Sequence, residues 1–129
     1  MSDPHPTEGE LAILHVLWHR HEPSTVREVH AALIRNKDTA YTTVLKMMTI
    51  MAEKGLVSRD ESERSHRYAA VFPEPTVQSA MLNDLMQRAF SGSALQLVQR
   101  ALDTNTASSA DLDAISQMIA KAKARKGKV

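Results

Sequence analysis

A mainly α-helical chain carrying one small β-hairpin is the fold class the sequence predicts, and three observations predict it. Apolar residues recur at helical spacing, as in Val44, Met47, Met48 and Met51. The pairs Thr7 and Glu10, Thr25 and Glu28, and Ser108 and Asp111 have the spacing of side chains that cap a helix start. After Gly55 the period shortens to a strand-like one in two stretches parted by polar residues.

Residues 1–6 hold two prolines and no periodicity, and read as a loose tail. The Thr7–Glu10 pair opens a first helix from Glu8 to His19 or Arg20. Leu11, Leu14 and Trp18 share one of its faces, and Ile13, Val16 and Leu17 widen that apolar surface. His21-Glu22-Pro23-Ser24 stops it. Thr25 and Glu28 open a second helix, from Val26 to about Arg35, with Val29 and Leu33 facing inward. Asn36-Lys37-Asp38 is a short turn. Asp38 or Thr39 is then placed to cap a third helix, and Gly55 can adopt the left-handed backbone that ends it. Leu56 to Arg59 and His66 to Val71 are the strand-like stretches, and Asp60 to Ser65 is turn material. Three short helices followed at once by a hairpin make a winged helix-turn-helix, over residues 7–72.

The third helix carries the chemistry. Opposite its apolar stripe lie Thr42, Lys46, Thr49 and Glu53, with Thr43 and Ile50 on the flank. Threonine offers a hydroxyl and a methyl to base edges, and lysine offers charge to phosphate or guanine, as suits a helix entering a DNA groove N-terminus first. Thr42, Thr43 and Lys46, with Thr39, Tyr41 and Thr49 beside them, are the candidate base-reading residues. Arg64, His66 and Arg67, on a wing next to that helix, are the candidate backbone contacts.

Pro73 and Pro75 mark a boundary, and Thr76 opens a fourth helix of about Val77 to Phe90. Ser91-Gly92-Ser93 breaks it. A fifth helix runs from about Ala94 to Asp103, and Thr104 to Ser108 form a polar loop. A sixth follows, ending in a basic tail, KAKARKGKV, read as a frayed and solvated end. Some fifty residues are too few to bury three apolar helix faces alone. Residues 76–124 therefore read as a helical dimerisation region, through Met81, Leu85, Leu95, Val98, Leu112, Ile115 and Ile119.

Composition narrows the rest. With 43% apolar and 24% charged residues this is an ordinary globular composition. No apolar run is long enough to cross a bilayer and the acidic N-terminus lacks a signal-peptide core, so the expected location is cytoplasmic. The absence of cysteine removes disulfides, thiolate metal sites and cysteine nucleophiles. No Gly-x-Gly cluster is present to cradle a phosphate, and no cofactor is expected. Residues 1–72 hold nine Lys/Arg against ten Asp/Glu, and residues 73–129 seven against five, so any DNA contact must come from a local basic surface.

Four segments, GELAILHVLWHR, STVREVHAAL, AYTTVLKMMTIMAEKGLVSR and SHRYAA, resemble in order and spacing the penicillinase-repressor family of bacterial transcriptional regulators, with its BlaI-, MecI- and CopY-like members. The resemblance covers residues from about 7 to 120 and is most specific at Ala40–Val44 and Glu53–Val57. It implies a homodimeric repressor on an inverted-repeat operator in double-stranded DNA, with Thr42, Thr43 and Lys46 at groove-facing positions. Leu45 and Ile50 depart from the arginines of the best-known penicillinase-type members. The family's release by a membrane-bound metalloprotease sensor is also implied, its scissile bond aligning with Arg100-Ala101, where the Asn-Phe pair is not retained. The cysteine ligands of the copper-responsive branch are absent.

Rival readings stay open at this level. His15 and His19, four apart on one helix, could serve a metal- or ligand-responsive regulator, although no second ligand cluster accompanies them. A winged helix used only for protein contact fits the modest charge balance. An enzyme is not expected, since the carboxylates fall on helix starts, turns and exposed faces rather than in a cleft.

Overall fold

The computed structural model describes residues 4–104 and 107–127. Part of the expected N-terminal tail (Met1 to Asp3), Asn105 and Thr106 of the expected loop, and Lys128 and Val129 of the basic tail lie outside the described residues. The order is α1 (Glu8–Arg20), α2 (Val26–Leu33), α3 (Tyr41–Lys54), β1 (Val57–Asp60), β2 (Arg67–Ala70), α4 (Glu74–Ala89), α5 (Ala94–Asp103) and α6 (Ser109–Lys126). The chain divides into two compact units, Met1–Asp84 and Leu85–Val129, the boundary falling within α4.

In the first unit α1, α2 and α3 pack around one core. Ile13, Leu14 and Leu17 of α1 meet Val26 and Val29 of α2 and Val44, Met48 and Met51 of α3, all buried. Leu56, Val57 and Tyr68 close that core from the hairpin. Both N-terminal capping boxes form: Thr7 and Thr25 accept from the Glu10 and Glu28 amides, while the two glutamates reach back to the Thr7 and Thr25 amides. The hairpin is antiparallel, pairing Val57 with Ala70 and Arg59 with Tyr68. Ser24 adds a third strand position, exchanging hydrogen bonds with Tyr68 at 2.9 and 2.8 Å. Together these make the winged helix-turn-helix arrangement, mainly α with one small hairpin.

Several boundaries differ from expectation. Neither Asp38 nor Thr39 caps α3. Its N-cap is Ala40, with no side-chain cap and no acidic residue in the first turn. Thr39 is diverted into the turn before it, its carbonyl 2.7 Å from His30 Nε2 and its hydroxyl directed to the Lys37 carbonyl. The second helix stops at Leu33, whose carbonyl takes the Asn36 and Lys37 amides and so closes the turn. Thr76 is not the start of α4: the helix begins at Glu74, and the Pro73 carbonyl accepts from the Thr76 and Val77 amides at 3.1 and 3.3 Å. Pro75 falls in the first turn, where its missing N–H costs nothing. Where a frayed end is expected after Ala120, the described part of the basic run is helical through Lys126.

Gly55 ends α3 with φ 81°, and a Cβ built there meets nothing within 4 Å. Substitution would therefore cost only the left-handed backbone itself. Gly55→Ala should lower stability by about 1–2 kcal/mol in urea melts without changing helix content.

In the second unit Ser91 (φ 50°) and Gly92 (φ 80°) turn the chain from α4 into α5, and the Gly92 amide returns to the Met86 carbonyl at 3.0 Å. Ser93 and Ser108 cap α5 and α6, and Ser108 forms a capping box with Asp111. Neither α5 nor α6 has a buried residue among those described.

Candidate nucleic-acid interface

Thr42, Lys46 and Thr49 lie on the outward face of α3, with Tyr41 and Thr43 to either side of it and Thr39 in the turn before it. Tyr41, Thr42, Thr43 and Lys46 are exposed, within two turns of an N-terminus whose first amides no side chain caps. Val44, Met48 and Met51 hold that helix from behind, each fully buried. Thr39 is half-buried, and Thr49 is not free to donate outward: its hydroxyl gives its proton to the Leu45 carbonyl at 2.9 Å.

Two ties hold α3 in position. Lys54, its last residue, bonds both carboxylate oxygens of Glu10 at 2.8 and 3.0 Å. Glu10 is 5% exposed, and burial pushes its carboxyl up. The Lys54 ammonium and the Thr7 amide outweigh that and hold it below the usual range. A carboxylate with a lowered folded pKa lends stability above its unfolded pKa, which is lost as pH falls through the folded one. Glu10→Gln should then cost about 1–3 kcal/mol at pH 7 and flatten the acid limb of the stability profile, as urea titrations from pH 7 to pH 3 would report. At the other end His30 clasps the Thr39 carbonyl and meets Tyr41 edge-on at 5.6 Å, fixing where α3 begins. Gly9 of α1 lies beside α3, where a Cβ would fall 2.6 Å from the terminal methyl of the flexible Met47 side chain.

The wing is less uniform than a row of free arginines. Arg64 is exposed at the turn, but His66 and Arg67 are half-buried, and Arg67 lies 3.7 Å from Glu28. Glu28 is a hub. It accepts from the Thr25 amide at 2.8 Å and pairs with Arg20 at 3.0 Å. The Thr25 amide first, with Arg20 and Arg67 after it, holds its carboxyl low against burial. Arg20 also donates to the buried Ser24 hydroxyl at 2.7 Å, so α1, α2 and the wing share one polar joint. Arg59 pairs with Glu61 at 2.8 Å, and its guanidinium is raised by a hydrogen bond to Tyr68 and by that glutamate. The Ser62 amide holds the Asp60 carboxyl low and shapes the tip. Sequence reasoning missed the Glu10–Lys54 clamp, the Glu28 hub and Ser24.

The candidate residues of the helical region are exposed in the single chain: Met81 37%, Leu85 50%, Leu95 79%, Val98 42%, Leu112 47% and Ile119 48%, with Ile115 half-buried. Arg100 and Ala101 lie exposed within α5, and Arg100 pairs with Asp103 at 2.6 Å. His15 faces Glu74 at 3.6 Å and Trp18 edge-on at 5.3 Å. With His19 it lines an open cleft of about 1180 Å³ between α1, α2 and α3. Among the described residues no group of three His, Cys, Asp or Glu is arranged to hold a metal ion, and no helix is long and apolar enough to cross a membrane.

The sequence profile of a family described as penicillinase repressor matches residues 6–121. The transcriptional regulator BlaI of Mycobacterium tuberculosis, in strains CDC 1551 / Oshkosh and ATCC 25618 / H37Rv, is 44% identical over 85 residues. That stretch spans 65% of this chain and 62% of the length of those curated relatives. A solved structure, of a Lactococcus lactis ZitR mutant, overlaps 97% of this chain and 78% of its own at TM-score 0.43 and 16% identity.

Proposed function

The chain belongs to the penicillinase-repressor family, a family of repressors and not of enzymes. On that premise we propose that it is a transcriptional repressor that binds an inverted-repeat operator in double-stranded DNA as a homodimer, in the cytoplasm. One observation carries the reading: Thr42, Thr43 and Lys46 are exposed together at the uncapped start of a helix braced at both ends. A helix N-terminus without a side-chain cap, with a lysine in its second turn, suits a phosphate-flanked groove. The residues that brace α3 do not themselves need to touch DNA. In the wing the exposed Arg64 reaches phosphate, while Arg67 mainly holds the wing to α2 through Glu28.

Dimerisation uses the apolar faces of Met81, Leu85, Leu95, Val98, Leu112, Ile115 and Ile119. Two helices with no buried residue have no core of their own, and a second copy is the economical cover. Release by a membrane metalloprotease sensor rests on the family resemblance alone. Arg100-Ala101 lies inside α5, so cleavage there requires that helix to open first.

Salt tests the DNA reading most cheaply. About four phosphate contacts per dimer would weaken duplex binding roughly a hundredfold on a fourfold rise in salt. A protein-contact module would bind no duplex at any salt.

A further inference from the structure

The outward arc of α3 is not simply polar. At about 100° per residue, Leu45, Thr49, Thr42, Glu53, Lys46 and Ile50 follow one another around roughly 140° of its surface. Leu45 is 41% exposed and Ile50 38%, on a helix whose apolar needs Val44, Met48 and Met51 already meet. Leu45 therefore sits on the outside without a structural reason in the core. Thr49, one turn on and adjacent to Leu45, gives its hydroxyl proton to the Leu45 carbonyl at 2.9 Å, so it has no proton to donate outward and offers an outside partner its methyl and an acceptor oxygen. Leucine and the threonine methyl make a small apolar edge beside Thr42 and Lys46.

In the major groove the one apolar group on a base edge is the thymine 5-methyl. A leucine pressed against any other edge would strip water from donors and acceptors without replacing it. We propose that Leu45, backed by the Thr49 methyl, reads the 5-methyl of a thymine in each operator half-site. The inference rests on α3 being the reading helix and adds the base it prefers. Thr42 and Lys46, on the other side of this edge, then supply the hydrogen bonds and charge at neighbouring positions.

The experiment begins with duplexes selected from a randomised library by the full-length protein. Each thymine is then replaced by deoxyuridine, which removes the methyl and leaves the pairing intact. Removing one buried methyl should weaken wild-type binding about threefold, and both half-sites together roughly tenfold. In Leu45→Ala, an exposed change on a helix that tolerates alanine, that penalty should vanish at the same thymine and persist elsewhere. Deoxyuridine tolerated at every position, or the same penalty in Leu45→Ala, would overturn the inference while leaving operator binding intact. Failure to enrich any duplex would instead overturn the reading-helix assignment, and this inference with it.

Discussion

A chain ending at Asp84 is expected to fold, to sediment as a monomer and to bind an operator duplex about 10²–10⁴-fold more weakly than the full-length protein. The three steps have separate physical grounds. Folding is expected because the core of Ile13, Leu14, Val29, Val44, Met48 and Met51 lies wholly within the first unit. The cut belongs after Asp84 and not at Pro73. Val77 is 1% exposed, Glu74 faces His15, and Trp18 donates to the Phe72 carbonyl at 3.0 Å. Monomeric behaviour is expected because Leu85, Leu95, Val98, Leu112 and Ile119 leave with the removed segment. The affinity loss follows because a dimer that has docked one half-site presents the second reading helix at high effective concentration. Sedimentation velocity and fluorescence anisotropy on one selected duplex would report both properties. A truncated protein that stays dimeric would move the pairing surface into the first unit, where Met81 and Leu82 are also exposed.

Local pairings were legible in the sequence and distant ones were not. Thr7 with Glu10, Thr25 with Glu28 and Ser108 with Asp111 cap as their spacing implied, because each pair needs only three residues of helix to meet. The α3 stripe was legible for the same reason, Val44, Met48 and Met51 being fully buried. The start of α3 was misread, because Asp38 and Thr39 have capping chemistry but belong to a turn that His30 pins from α2. Spacing cannot reveal a competing partner nine residues away. Glu10 and Lys54 are separated by 44 residues, and Ser24 and Tyr68 likewise meet only through the fold. Thr49 shows the same limit on a smaller scale. It lies on the outward face as its position implied, yet its hydroxyl proton is spent on its own helix.

Lys46→Ala should weaken operator binding about tenfold for each half-site it serves, so roughly a hundredfold for the dimer, and should make the salt dependence shallower. Lys46 is exposed in the second turn of α3, between Thr42 and Ile50 around the helix, and its proposed contact is either a guanine edge or a phosphate. Those two roles separate by salt. Loss of a phosphate contact removes released counterions and lowers the slope by about one per lysine, whereas loss of a guanine contact changes base preference at one position and leaves more of the slope. Thr43→Ala is the companion change. It removes a hydroxyl and a methyl from a neutral side chain, so affinity should drop by a smaller factor with the slope untouched. Both substitutions place alanine on an exposed helix surface away from Glu10, Lys54 and the core, so thermal stability and dimer mass should stay at wild-type values. Wild-type affinity in both variants would remove α3 from the groove. Lost affinity together with a lowered melting temperature would instead point to damage in the helix that presents them.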